Sequence, residues 1–159
     1  MPDTQLFVFT AGDASARAHL NDSILNPIDP ERIASLFPQD EAAELQALAA
    51  EQGLYAWGAV DGQRNKPTWE SMAPGDWVLC VYDARYRFVA RVVRKAHNAP
   101  AAREIWGELE PGKTWEYMYF ITPPVPIDVP LDDLASELNA RYMGFTRIAD
   151  PRVSEIVDA

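Results

Sequence analysis

Trp57, Trp69, Trp77, Trp106 and Trp115 are the side chains of this 159-residue sequence with the most obvious capacity to hold a ligand. Indole rings present large polarizable faces that stack on planar or cationic groups. Interleaved with them is a run of cations. Ala84 to Arg103 contains Arg85, Arg87, Arg91, Arg94, Lys95 and Arg103 and no acid. Aromatic faces beside cations suit a nucleic acid, whose bases stack and whose phosphates need positive charge. The competing reading of the run is solubility, since arginines keep a solvent-facing strand from pairing with other chains. Trp57 and Trp69 each adjoin a polar, loop-forming stretch, which suits rings that face a cleft. Trp77, after the Gly75-Asp76 turn, and Trp106, at the end of a short helix, suit the core.

Catalytic chemistry is harder to assemble. The single cysteine, Cys80, excludes an intrachain disulfide and a cysteine zinc cluster. It lies within Trp77 to Tyr82, a continuous apolar run in which a thiol behaves as a small hydrophobe rather than as a nucleophile served by His97. His19, on a short predicted helix, reads as structural, with pocket lining as its alternative. The sequence holds no phosphate loop, dinucleotide fingerprint, nucleophile elbow or metal-ligand spacing. The expectation is a protein without catalytic residues, metal or cofactor.

Charge divides the chain. Residues 1–53 carry nine acids and two bases, a net of −7; residues 125–159 carry seven acids and three bases, a net of −4. Residues 54–124 carry eight acids and nine bases, a net of +1 within a chain whose total is −10. Hydrophobic residues make up 48% and charged residues 24%, a globular composition. The length suits one domain spanning 1–159. The longest apolar run is six residues, against the roughly 20 of a membrane span, and Met1 to Gln5 lacks the features of a signal peptide. The expected setting is the cytoplasm, away from membranes.

The elements that must position these residues follow from periodicity and punctuation. Gln5 to Thr10 reads as a strand and Ala11-Gly12-Asp13 as the turn after it. A short helix runs through Ala18 and Leu20. Asp29-Pro30-Glu31 starts another, and Asp40 is placed to cap a helix from Glu41 to Gln52, stopped by Gly53. Strands are predicted at 54–60, 77–82, 86–95 and 117–121, a helical turn at 69–72 and a short helix at 100–106. Helices are expected at 131–139 and after Asp150-Pro151, making 122–159 a helical extension. The central strands leave no room for helical crossovers, so most pairing should be antiparallel. The fold class is α+β: a curved, partly closed, barrel-like mixed sheet with helices outside.

The ordered residues Tyr55-Ala56-Trp57-Gly58, Trp69, Met72, Pro74-Gly75-Asp76-Trp77-Val78-Leu79, Phe88-Val89-Ala90-Arg91-Val92, Asn98, Ile105-Trp106-Gly107 and Trp115 to Phe120 carry a resemblance. The chain is similar to EVE or YTH-like domains of the PUA-like superfamily, in particular to the N-terminal modules of McrB-like, modification-dependent restriction systems. The likeness covers Leu6 to Ile121 and, more loosely, Gly144 to Ile148. It implies an aromatic pocket that takes in one modified nucleobase, such as 5-methylcytosine or methylated adenine. The resemblance puts Trp57 and Trp69 in the pocket walls, with Thr10, Gly12, Tyr82 and Asn98 completing them and reading the base edge. Arg85, Arg87, Arg91, Arg94 and Lys95 would hold phosphates. The implied partners are modified DNA and a nuclease or AAA+ domain or subunit. Two other readings stand beside this one: a reader of RNA, and an acidic domain that binds a protein or small molecule in an apolar cleft.

Overall fold

The computed structural model describes residues 5–10, 14–63, 65–82, 85–108, 111–130 and 145–148. In chain order the elements are β1 (Leu6–Thr10), α1 (Ala14–Ser23), α2 (Gln39–Glu51), β2 (Tyr55–Ala59), α3 (Asn65–Ser71), β3 (Trp77–Tyr82), β4 (Arg85–His97), α4 (Ala99–Trp106), β5 (Tyr117–Ile121), β6 (Val125–Pro130) and β7 (Phe145–Ile148). Two 3₁₀ turns, Pro30–Arg32 and Ala34–Leu36, precede α2. The first is capped as its sequence dictates, with the Asp29 carboxylate accepting from the Glu31 amide. Asp40 does not cap α2. The helix begins two residues earlier than expected, at Gln39 behind Pro38, so Asp40 falls in the first turn, where its charge complements the helix dipole. Gly53, at φ +98°, ends the run as expected.

The strands lie in the order β2-β5-β4-β3-β1-β7, with β6 paired to β4. β1 is parallel to β3, and the other pairings are antiparallel. β4 is the spine. Its second half pairs with β5 and its first half with β6. Pro123 and Pro124 cannot donate to the ladder, which separates β5 from β6. Thr122 bridges the gap, its amide donating to the Arg91 carbonyl and its hydroxyl accepting from the Arg91 amide. Sequence periodicity had assigned 122–159 to a helical extension, but β6 and β7 both lie within it and both join the sheet. The predicted helices at 131–139 and after Pro151 lie outside the described residues.

The sheet curls without closing. Three strands lie between β1 and β2 in the order, yet the rings of Phe9 and Trp57 stack at 4.8 Å. Two cores result. Inside the curl, Phe7, Phe9, Trp57, Val78, Cys80, Ala90, Val92, Tyr119 and Ile121 pack together with Leu20 of α1 and Ile24 just after it. On the outer face of β2 and β5, Ala56, Met118 and Phe120 pack against Leu45 of α2 and Ala101, Ala102, Ile105 and Trp106 of α4. Residues that alternate along β2 and β5 therefore serve opposite cores, which explains why both strands are apolar on both faces.

Candidate functional site

The sheet order ends at β2, and there the two cores meet in a group of aromatic rings. Trp57 points into the curl. Trp106 comes from the outer side as the last residue of α4. That helix is positioned at its start by Asn98, whose Oδ1 accepts from the Ala101 amide, and is stopped by Gly107 at φ +81°. Trp106 and Trp57 rings meet edge to face at 6.4 Å. Trp106 Nε1 donates to Ser23 Oγ at 3.1 Å, tying α4 to α1. Trp115, half-buried ahead of β5, completes the group. Gly58 makes the approach possible: a Cβ there would stand 2.9 Å from the Trp106 ring and against the Trp115 backbone.

One side chain sits among these three indoles. His19 of α1 lies 4.3 Å from the Trp115 ring in a T-shaped contact, 6.3 Å from Trp106 and 6.5 Å from Trp57. Trp57, Trp106 and His19 are 8%, 7% and 8% exposed, so the group is closed. The expectation that Trp57 faces an open cleft is corrected here: the ring is core, stacked on Phe9. Trp106 is buried as its position suggested. The signals for Trp115 and His19 were present in the sequence as an unassigned indole and an imidazole on a short helix, but nothing local in the sequence links them.

Trp69 belongs to a different set of neighbours. It is half-buried on α3, and Nε1 donates to the Met118 carbonyl at 2.9 Å. Its ring lies 5.2 Å from Tyr117 and 6.3 Å from His97. Lys95 Nζ sits 4.3 Å over the indole and donates to the Trp69 carbonyl at 2.8 Å. Burial lowers the Lys95 pKa, and the negative charges of Glu70 and Asp76 oppose that shift. His97 stacks on Tyr117 at 4.3 Å and pairs with Glu116 at 2.9 Å. Trp57 and Trp69 thus border the same inner core, each with its own ring partners.

Of the remaining residues that the resemblance marked, Thr10 and Tyr82 lie at the neighbouring ends of β1 and β3, and Asn98 lies elsewhere, before α4. Thr10 ends β1 opposite Val81, and Tyr82 ends β3 half-buried, with the Arg87 guanidinium 4.9 Å over its ring. Gly12 lies outside the described residues. Asn98 is a helix cap. Its Oδ1 is used as above and its Nδ2 donates to the Leu36 carbonyl, so both ends of the amide serve the fold. Asn98→Ala should therefore cost about 1 kcal/mol of stability, read as a lowered denaturation midpoint, and leave base discrimination unchanged.

The cations do not form one face. A register shift between Val92 and Arg94 changes which residues of β4 face each core. Arg85 and Arg87 both pair with Asp128 of β6, whose carboxyl is held below its usual range chiefly by the hydrogen bond from Arg85. Arg91 lies 4.8 Å over Trp77 and donates to the Gly75 carbonyl. Past the shift, Arg94 pairs with Glu41 and Glu44 of α2, while Lys95 turns to Trp69.

Burial pushes the Cys80 thiol up to about 12, with Arg87 acting weakly in the opposite direction. At neutral pH the thiolate is scarce. Iodoacetamide should label Cys80 only once the protein is denatured; rapid labelling of the native protein would contradict this burial. Beside Cys80 lies a recess of about 170 Å³ lined by Phe9, Val78, Phe88 and Ala90 among others, with no polar side chain except the thiol to read a base edge. Among the described residues no group of three His, Cys, Asp or Glu side chains is placed to hold a metal ion, and no helix is long and apolar enough to cross a membrane.

This curled sheet with outer helices is similar in fold to two solved domains. The N-terminal domain of McrB from Thermococcus gammatolerans, solved bound to m5C DNA, matches it with a TM-score of 0.70 at 14% identity, over 98% of this chain and 96% of that one. The YTH domain of the MRB1 protein of Zygosaccharomyces rouxii, solved with N6-methyladenosine RNA, matches with a TM-score of 0.51 at 13% identity, over 99% and 88% of the two chains. No family model and no curated protein matches the sequence. Both neighbours are modules that bind methylated nucleic acid.

Proposed function

We propose that the chain is a non-catalytic reader of a modified base in DNA, which it draws out of the duplex into the Trp57–Trp106–Trp115 group, and that it targets a restriction or defence nuclease. The observation that supports this most is the convergence of three indoles on one heteroaromatic ring, at an end strand of a fold shared with a solved m5C DNA complex. A base inside a duplex exposes only its edges, so inspection of a methyl group from all sides requires extrusion, at a cost of a few kcal/mol. Stacking on an aromatic side chain returns about 1–3 kcal/mol per base, so two indole contacts offset that cost. The added methyl contributes only about 1 kcal/mol by burial, so the rest of the discrimination falls to hydrogen bonds at the base edge.

The phosphates flanking the site meet Arg85, Arg87 and Arg91, which precede the register shift between Val92 and Arg94 on β4. Arg94 and Lys95, included with them on sequence grounds, are committed to α2 and α3. Replacing Arg87 and Arg91 with Ala should weaken binding to all sequences alike and flatten the salt dependence by roughly one unit per lost contact. Arg94→Ala should leave the salt slope unchanged.

The test of the reading is a binding comparison among duplexes that differ only in one base, cytosine or 5-methylcytosine, adenine or N6-methyladenine, with the same sequences as RNA. Tighter binding to one modified duplex, lost in Trp115→Ala, supports the proposal. A preference for modified RNA would favour the second reading, for which the YTH neighbour speaks. Equal, salt-insensitive binding to every probe would reject both.

A further inference from the structure

We infer that Arg91 and Trp77 form one preorganised phosphate clasp, with Arg91 as the phosphate ligand and Trp77 as its positioning residue. The inference deepens the reading proposed above and rests on its claim that a nucleic acid is bound. It starts from what each cation of β4 already holds. Arg85 and Arg87 pair with Asp128, and Arg94 pairs with Glu41 and Glu44. A phosphate reaching any of these three must first displace a carboxylate. Lys95 gives its ammonium to the carbonyls of Trp69 and Glu70. Arg91 is exposed, its guanidinium meets only a carbonyl and an indole, and no carboxylate of the described residues pairs with it. Asp76 stands beside Gly75 in the chain but turns its carboxylate to the Gln5 amide, the Gln5 side chain and the Ala73 amide.

The guanidinium is held in one posture. Trp77 and Arg91 are register partners on β3 and β4. Their neighbours Val78, Ala90 and Val92 enter the inner core, so the pair lies on the opposite face of the sheet. Arg91 Cζ lies 4.8 Å from the centre of the Trp77 ring, and Nε and Nη2 donate to the Gly75 carbonyl at 3.3 and 3.1 Å. The backbone is fixed as well. The Arg91 amide donates to the Thr122 hydroxyl, and the Arg91 carbonyl accepts from the Thr122 amide. A guanidinium carries five N–H donors in a planar fork that matches phosphate. Two of them serve Gly75, which leaves three for an anion, both on Nη1 among them. A side chain ordered before binding loses little freedom on binding. Trp77 carries no charge, so its contribution is the posture of its neighbour.

Duplex binding measured across a salt series tests the clasp, with thermal melting to establish that each variant is folded. Arg91→Ala should weaken binding to duplexes with and without one 5-methylcytosine alike, by about tenfold at low salt, and flatten the salt slope by about one unit. Trp77→Leu keeps the charge and should weaken binding about two- to fivefold. In the Arg91→Ala background, Trp77→Leu should have no further effect on binding, because the indole acts through the guanidinium. Arg91→Lys keeps the charge without the fork and should bind less tightly than the parent; parental affinity there overturns the clasp. Should Trp77→Leu fail to fold, Trp77→Phe, whose ring holds a cation less well, carries the same comparison. An unchanged salt slope in Arg91→Ala overturns the clasp. So does parental affinity in the folded Trp77 variant, or a Trp77 effect that persists undiminished without Arg91. If the parent binds no duplex in a salt-dependent way, the nucleic-acid reading itself fails and the clasp with it. If the parent prefers the methylated duplex and Arg91→Ala keeps the parental slope, the clasp alone fails.

Discussion

Trp57→Ala should lower the stability of the protein by about 3–5 kcal/mol, the range for truncating a large buried aromatic ring. Three consequences of one substitution add up here. The inner core loses the ring that stacks on Phe9, Trp106 loses an edge-to-face partner, and the cavity opens at β2, which among the described residues pairs with β5 alone. Denaturant unfolding followed by circular dichroism measures the change. A loss below about 1 kcal/mol would place Trp57 outside the core. Because the ring is both core and wall, the alanine variant cannot separate folding from binding. Trp115→Ala can, since that ring is half-buried: it should fold and lose the preference for the modified base while keeping salt-sensitive, non-specific binding.

Gly58→Ala is the second large effect. The residue follows Trp57 in β2, and its missing side chain is where the Trp106 ring and the Trp115 backbone come closest to the strand. The Trp115 carbonyl cannot give way as a flexible side-chain tip does. The added methyl group therefore forces β2 and the segment ahead of β5 apart, at a cost of about 1–3 kcal/mol. Stability and discrimination should fall together, and Gly58→Ser should behave no better. A variant of parental stability that still prefers the modified base would show that Trp106 and Trp115 need not approach β2 so closely.

Most of the strands were legible in the sequence because each is punctuated. The turn at Pro74-Gly75-Asp76 sets the start of β3, and Gly53 sets the approach to β2. Pro100 marks the start of α4 in the sequence, whereas Asn98, assigned there to the pocket, is the cap of that helix in the structure. The strand β6 was hidden within a stretch read as a helical extension, because its pairing with β4 is a tertiary fact. The cations of β4 misled for a related reason. Arg85 to Lys95 looks like one positive strand face, but the pairing of β4 shifts near Arg87 and again between Val92 and Arg94, and past the second shift Arg94 turns toward α2 and Lys95 toward Trp69. Bulges leave little trace in composition. The site was half legible. Trp57 stood out, but its partners Trp106, Trp115 and His19 are brought to it by the docking of α1 and α4 at the end of the sheet, and no local spacing encodes that docking.

The structure of the complex with a DNA duplex carrying a single 5-methylcytosine tests the central claim most directly. The methylated base should stand outside the helical stack, in van der Waals contact with Trp57 and Trp106 and covered by Trp115. A methylated base still paired within the duplex, or extruded onto the Trp69 and His97 side of the sheet, would contradict it.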